Sequence, residues 1–163
     1  MSYTNNFGFR SFLNIIRVSR FRVPSTGDPI AIGTPVMLDP ANAGRLKVAT
    51  EAVAPGAGKG VLIYEHIQPK GVDPLLSVPT DFTTVPVGAY AQMVSGPGVK
   101  VWMKGTAILN AGVDVATLDP GDGLVPDDEG KYRVADPNED EVPWFVIEQA
   151  NASTDVLEAR ITF

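Results

Sequence analysis

From Val23-Pro24 onward, apolar and polar residues alternate in short segments, and each segment is cut off by Gly, Pro, Asn or Asp. The last segment is the cleanest: Leu157, Ala159, Ile161 and Phe163 fall on one side, and Glu158, Arg160 and Thr162 on the other. Successive side chains of a strand point to opposite faces, so a two-residue period is the pattern of a half-buried strand. The same alternation recurs at Leu46 and Val48, at Val87, Ala89, Ala91 and Met93, and at Val99, Val101 and Met103. It returns at Tyr132 and Val134, and where Phe145 and Ile147 oppose Trp144 and Val146. Val61, Ile63 and Ile67 alternate with Leu62, Tyr64 and His66, which predicts a strand covered on both faces. With 16 Gly and 14 Pro in 163 residues, long helices are excluded. The expectation is an all-β chain: a small antiparallel β-barrel or β-sandwich over residues 24–163, with an extended N-terminal arm before it. Residues 68–84 and 117–130, rich in Pro and Asp, read as surface excursions.

Residues 1–23 fit two templates. Phe9, Phe12, Leu13 and Ile16 share the spacing of one helix stripe, whereas residues 16–23 alternate as a strand does. One reading is a first strand of the barrel; the other is an arm that orders on a partner's surface. Charge sharpens the second reading. Residues 1–22 hold Arg10, Arg17, Arg20 and Arg22 and no acid, while residues 105–163 carry three basic and thirteen acidic groups within a chain of net charge −6. A basic head on an acidic body suits directional docking. Four arginines on a chain that otherwise repels phosphate do not suit nucleic acid, so no direct nucleic-acid partner is expected.

Cysteine is absent and His66 is the single histidine. Disulfide frameworks, thiol nucleophiles and multi-histidine metal centres are thereby excluded. Gly56-Ala57-Gly58-Lys59-Gly60 resembles a phosphate loop only superficially, because Val53 and Gly60 occupy the positions of its first Gly and its Ser or Thr. It reads as a hairpin turn. Asp136, Asn138 and Asp140 have the opening spacing of a calcium loop, but Glu141 stands where the turn needs Gly and Ile147 where it needs Glu. An acidic turn is the better reading, with a weaker cation site at Asp127, Asp128 or Glu129 as the alternative. The acids of residues 114–141 sit among Gly and Pro, in no apolar pocket that would make one a general acid. No catalytic residue, metal or cofactor is expected. His66 and Trp102 are candidate subunit-interface residues, and Trp144 a core residue. Asn151-Ala152-Ser153 fits the glycan acceptor triplet, which carries no weight without a secretion signal. No apolar run reaches membrane-spanning length, and the basic residues follow the early apolar stretch instead of preceding it. The chain is expected to be made in the cytoplasm, with no membrane partner.

Six segments recur in a familiar order. They are Gly33-Thr34-Pro35-Val36-Met37-Leu38-Asp39, Lys59-Gly60-Val61-Leu62-Ile63-Tyr64-Glu65 and Val85-Pro86-Val87-Gly88-Ala89-Tyr90-Ala91. Val99-Lys100-Val101-Trp102-Met103-Lys104-Gly105, Ala111-Gly112-Val113-Asp114-Val115 and Gly130-Lys131-Tyr132-Arg133-Val134 complete the set. Across roughly residues 30–163 the chain resembles the capsid decoration (cement) proteins of tailed bacteriophages, apart from an acidic stretch near 119–141. The resemblance implies a non-enzymatic structural protein on the outer surface of an icosahedral head, where it stabilises the shell by bridging major capsid proteins, usually as a homotrimer. It implies that the arm adds to the capsid sheet, with Phe7, Phe9, Phe12 and Phe21 burying apolar area and Arg10, Arg17, Arg20 and Arg22 pairing with capsid acids. The other reading is a virion-displayed glycan-binding or adhesion module, using exposed aromatics such as Trp102 and Tyr90.

Overall fold

The computed structural model describes residues 7–9, 16–17, 21–24, 27–50, 55, 58–63 and 83–163. In chain order the first strands are β1 (Phe7–Phe9), β2 (Ile16–Arg17), β3 (Phe21–Arg22), β4 (Ile30–Ala31), β5 (Pro35–Leu38), β6 (Leu46–Val48) and β7 (Lys59–Ile63). They are followed by β8 (Thr84–Val85), β9 (Tyr90–Ser95), β10 (Lys100–Lys104), β11 (Gly123–Pro126), β12 (Tyr132–Val134), β13 (Phe145–Asn151) and β14 (Val156–Ile161). One helical turn, α1 (Gly105–Ile108), and a 3₁₀ turn at Val115–Thr117 interrupt them. The chain is all-β, as its alternation predicts.

All strand pairs are antiparallel. The first sheet runs β1-β10-β14-β13-β11-β12. The second runs β2-β9-β7-β5-β6, with β3 also lying along β9. The Arg22 amide donates to the Gly44 carbonyl at 3.1 Å, and Arg22 bridges Arg45 just before β6. That contact joins β3 to the far edge of its own sheet and nearly closes a small barrel. Val36, Leu62, Ala91 and Met93 share one face of this sheet and are fully buried. Each large side chain removed from water there contributes about 1.5–3 kcal/mol. Leu62 and Val61 are both fully buried, so β7 is covered on both faces as its uninterrupted apolar run predicts.

Two contacts lock the sheets together. Gly130 has φ +74°, and a Cβ there would stand 2.3 Å from Val48 Cγ1, so only glycine lets the turn between β11 and β12 settle on β6. Tyr132 on β12 is fully buried, and its hydroxyl donates to the Gly33 carbonyl at 3.1 Å, just before β5. Burial pushes its phenol well above the usual tyrosine range, so it stays a neutral donor. Replacing Tyr132 by Phe leaves that carbonyl unsatisfied. A loss of about 1–2 kcal/mol is expected, read as a lower urea midpoint at unchanged slope.

Two expectations meet a different arrangement, and the described stretches of residues 1–23 follow the strand reading of that segment. Residues 117–130 are no surface excursion: they contain β11, whose Leu124, Val125 and Pro126 are buried between β12 and β13. Consecutive buried residues produce no alternation, and Pro126 looks like a turn signal. The acidic stretch 119–141 therefore builds two strands of the first sheet. Val87 belongs to no strand and is 37% exposed, because a turn closed by the Ala89 amide on the Pro86 carbonyl holds residues 86–89 and β9 begins only at Tyr90. The arm, over its described stretches, adds to the chain's own sheets: Phe7 and Phe9 register with Met103 and Val101, Ile16 and Arg17 with Ser95 and Val94, and Phe21 and Arg22 with Ala91 and Tyr90. Hydrogen bonding thus continues across the expected boundary between residues 1–23 and 24–163.

Candidate functional site

Of the eight arm residues expected to contact a capsid, Arg10, Phe12 and Arg20 lie outside the described residues, as does His66. Phe7, Phe9 and Arg17 are placed by their backbones, as strand additions. Phe21 turns inward and packs against the core, so it is not available as an outer anchor. Arg22 is exposed, and its guanidinium carbon lies 4.9 Å from the ring centroid of Tyr90, its cross-strand partner. Such a cation–π contact contributes about 0.5–1 kcal/mol at an exposed site. Tyr90 is 50% exposed.

Trp102 occupies the outer face of β10 between Lys100 and Lys104 and is half-buried, while Val101 and Met103 on the inner face are fully buried. Its cross-strand partner on β14 is Glu158. Nearby, the β13–β14 ladder shifts register between Ile147 and Gln149, and the bulge pushes Glu148 outward. Lys100 reaches that carboxylate at 2.8 Å and Arg160 holds it from the other side. The Lys100 ammonium, then Arg160, keep the Glu148 carboxyl below the usual carboxylate range. The expected core residue Trp144 is fully buried.

The acids of the loops work as clasps. Asp127 is 3% exposed; it accepts from the amides of Glu129 and Lys131 at 2.9 and 2.7 Å and from Asn110 Nδ2 at 2.7 Å. These donors occupy both of its oxygens and set the turn before β12, which leaves it poorly suited to the weaker cation site considered for it. In the calcium-like stretch, Asp136 accepts from the amide and side chain of Asn138 at 2.8 and 2.9 Å. Among the described residues, no group of three or more His, Cys, Asp or Glu side chains is arranged to hold a metal ion. Asp39 likewise closes a turn, held below its ordinary value by Asn42 Nδ2 at 2.7 Å and the Ala41 amide.

Glu141 is the most enclosed of the paired acids, with its side chain 7% exposed. Both Arg133 guanidinium nitrogens donate to it, as does the Asp136 amide at 2.8 Å. Arg133, then that amide, hold its carboxyl below the usual 4.5. The unfolded chain therefore takes up this proton first as pH falls. Stability from the pair is full above about pH 4.5 and is lost as pH drops through the lowered value. Glu141→Gln is expected to flatten that part of the acid limb, checked by thermal melts between about pH 7 and about pH 3. Asp39, Glu141 and Glu148 all shift downward, opposite to what a general acid needs.

A hollow of about 600 Å³ lies where β10 runs into α1. Asn110, Asp114, Lys131 and Asp155 contribute its polar walls. Asp155, at φ +55°, accepts from the Thr106 amide and hydroxyl, tying the β13–β14 turn to α1. Asp114 accepts from the Ala116 amide at 2.9 Å and starts the 3₁₀ turn. Asn110, Asp114 and Asp155 thus hold backbone in place around the hollow.

Sequence alternation puts Trp102 and Glu158 each on an outer face, but their alignment depends on register. The bulged Glu148 and the Arg22–Tyr90 stack also come from register, and no local signal marks them. Comparison with known proteins finds no family model that matches this chain and no curated protein significantly similar to it.

Proposed function

We propose that the chain is a structural virion protein that decorates the outside of an icosahedral tailed-phage head, with the major capsid protein and further copies of itself as partners. The observation that carries this reading is the ordered set of segments that resembles decoration proteins. In the structure those segments supply β5, β7, the β8–β9 turn, β10, the approach to the 3₁₀ turn and β12. The resemblance therefore rests on residues that build the framework, such as Val36, Gly60, Val101 and Tyr132, and not on scattered surface positions.

Attachment is assigned to residues 1–22. Of their described strands, β1 and β2 are held to the body by ladders of three and two residues, so exchanging them for a capsid strand costs little. Arginines beside capsid acids contribute about 1.5–3 kcal/mol each where desolvated. Several copies on one shell convert modest single contacts into firm occupancy. The test is cosedimentation of the purified protein with undecorated heads. The wild type is expected to saturate them, and the triple variant Arg10→Glu, Arg17→Glu, Arg20→Glu, which keeps the barrel seam at Phe21 and Arg22, is expected to lose at least tenfold in occupancy. Bare heads with the wild type would sink the reading, and equal occupancy by the triple variant would remove the arm from it.

A further inference from the structure

Between β4, β6, α1 and the turn that joins β11 to β12 lies a slot of about 210 Å³. Much of its wall is apolar: Ile30 and Ala31 of β4, Val48 of β6 and Ala107 of α1 all line it, and each is only partly buried. Ile30 and Ala107 also pack against the core, which fixes two sides of the slot.

The remaining lining is charged. Glu129 and Lys131 stand on either side of Gly130, the residue whose missing Cβ lets this turn settle on Val48. Their amides donate to Asp127 Oδ1 at 2.9 and 2.7 Å, so the backbone that carries them is held. Among the described residues, neither side chain has an ion-pair partner, and the two are not paired with each other. Other acids nearby are occupied. Asp127 is saturated by three N–H donors, and in the hollow that shares Lys131, Asp155 accepts from Thr106 and Asp114 from the Ala116 amide.

We propose that this slot binds a free α-amino acid with an apolar side chain. The wall and the charged pair together define that ligand. An apolar cavity of about 150 Å³ is enough for benzene, so the slot has room for a branched or aromatic side chain. The Lys131 ammonium donates to the α-carboxylate, and the Glu129 carboxylate accepts from the α-ammonium. Two unpaired charges of opposite sign match both poles of a zwitterion. A simple anion would meet Glu129 as a like charge, and a simple cation would meet Lys131 so. A segment within a protein chain has neither pole, because its amino and carboxyl groups are tied up in amide bonds. The inference concerns a site separate from the arm and does not rest on attachment to a phage head.

The full-length protein is titrated with leucine, isoleucine, methionine and phenylalanine by calorimetry and ligand-observed NMR, with glycine as the control. Saturable binding of at least one apolar amino acid, and none of glycine, is expected. Leucinamide and N-acetylleucine each lack one charge, and for a leucine-binding slot each should bind at least tenfold more weakly than leucine. Glu129→Gln and Lys131→Met should each weaken binding at least tenfold at an unchanged melting profile. Lys131→Met should also bind leucine and leucinamide alike, since it has already lost the carboxylate contact, whereas a merely structural change would leave their ratio as in the wild type. Three results overturn the proposal: no amino acid bound at millimolar concentration, both variants binding as the wild type does, or N-acetylleucinamide binding as tightly as leucine. The last would make the slot a dock for a side chain of a partner protein.

Discussion

Trp144→Ala is expected to lower stability by about 3–5 kcal/mol, enough to remove much of what a domain of this size has. Trp144 is the largest fully buried side chain, seated just before β13. Its ring meets Phe163 edge to face, with centroids 4.9 Å apart and planes at 64°. Its backbone is pinned as well: its amide donates to the Leu124 carbonyl at 2.8 Å, and its carbonyl accepts from the Thr162 amide at 3.1 Å. Strands held on both sides cannot collapse into the space that truncation leaves, so a cavity term adds to the lost transfer energy. Urea unfolding should show the midpoint falling with the slope unchanged. Phe163→Ala should cost less, and the double mutant should reveal about 0.5–1.5 kcal/mol of coupling. A Trp144→Ala loss below about 1 kcal/mol would mean that this region is not packed as described.

The second large effect is expected from a single methyl group. A Cβ on Gly60 would lie 2.5 Å from Met93 Cγ, 2.7 Å from the Val94 carbonyl oxygen and 3.1 Å from its carbon. Met93 can swing aside, but the Val94 carbonyl is backbone of β9, which pairs with β7, β2 and β3 and is central to the second sheet. Moving it breaks the β7–β9 ladder at Val61 and Val94. Gly60→Ala is therefore expected to cost at least about 3 kcal/mol, seen as a collapsed melting temperature or insoluble expression. Gly112→Ala is the control. Its Cβ would meet only Asn110 Oδ1, at 3.6 Å, and stability should stay within about 0.5 kcal/mol of the wild type. Similar losses at both positions would show that the effect is one of backbone entropy and not of close approach.

These two positions illustrate what is legible locally. Trp144 can be assigned to the core from its place beside an alternating strand, because burial follows the side-chain period. Gly60 looks like one more flexible turn glycine in Gly56-Ala57-Gly58-Lys59-Gly60, yet it lies inside β7 and is required by a strand that follows it by more than thirty residues. The candidate site divides in the same way. Glu129 and Lys131 look like two more charges of a polar turn, and only the packing of Gly130 on Val48 brings them to an apolar slot.

By itself, the sequence settled that this chain is built of short antiparallel strands, which faces of most of them are covered, and that thiol and multi-histidine chemistry are closed to it. Those conclusions depend on side-chain period and residue type, which are local. Tertiary structure decided that β11 lies within the first sheet, that β3 returns to the edge beside β6, that Phe21 packs inward, and that Glu129 and Lys131 share one apolar slot. Strand order and register are set by contacts between residues far apart in the chain. The two-residue period records only which way each side chain points, not which strand it will meet.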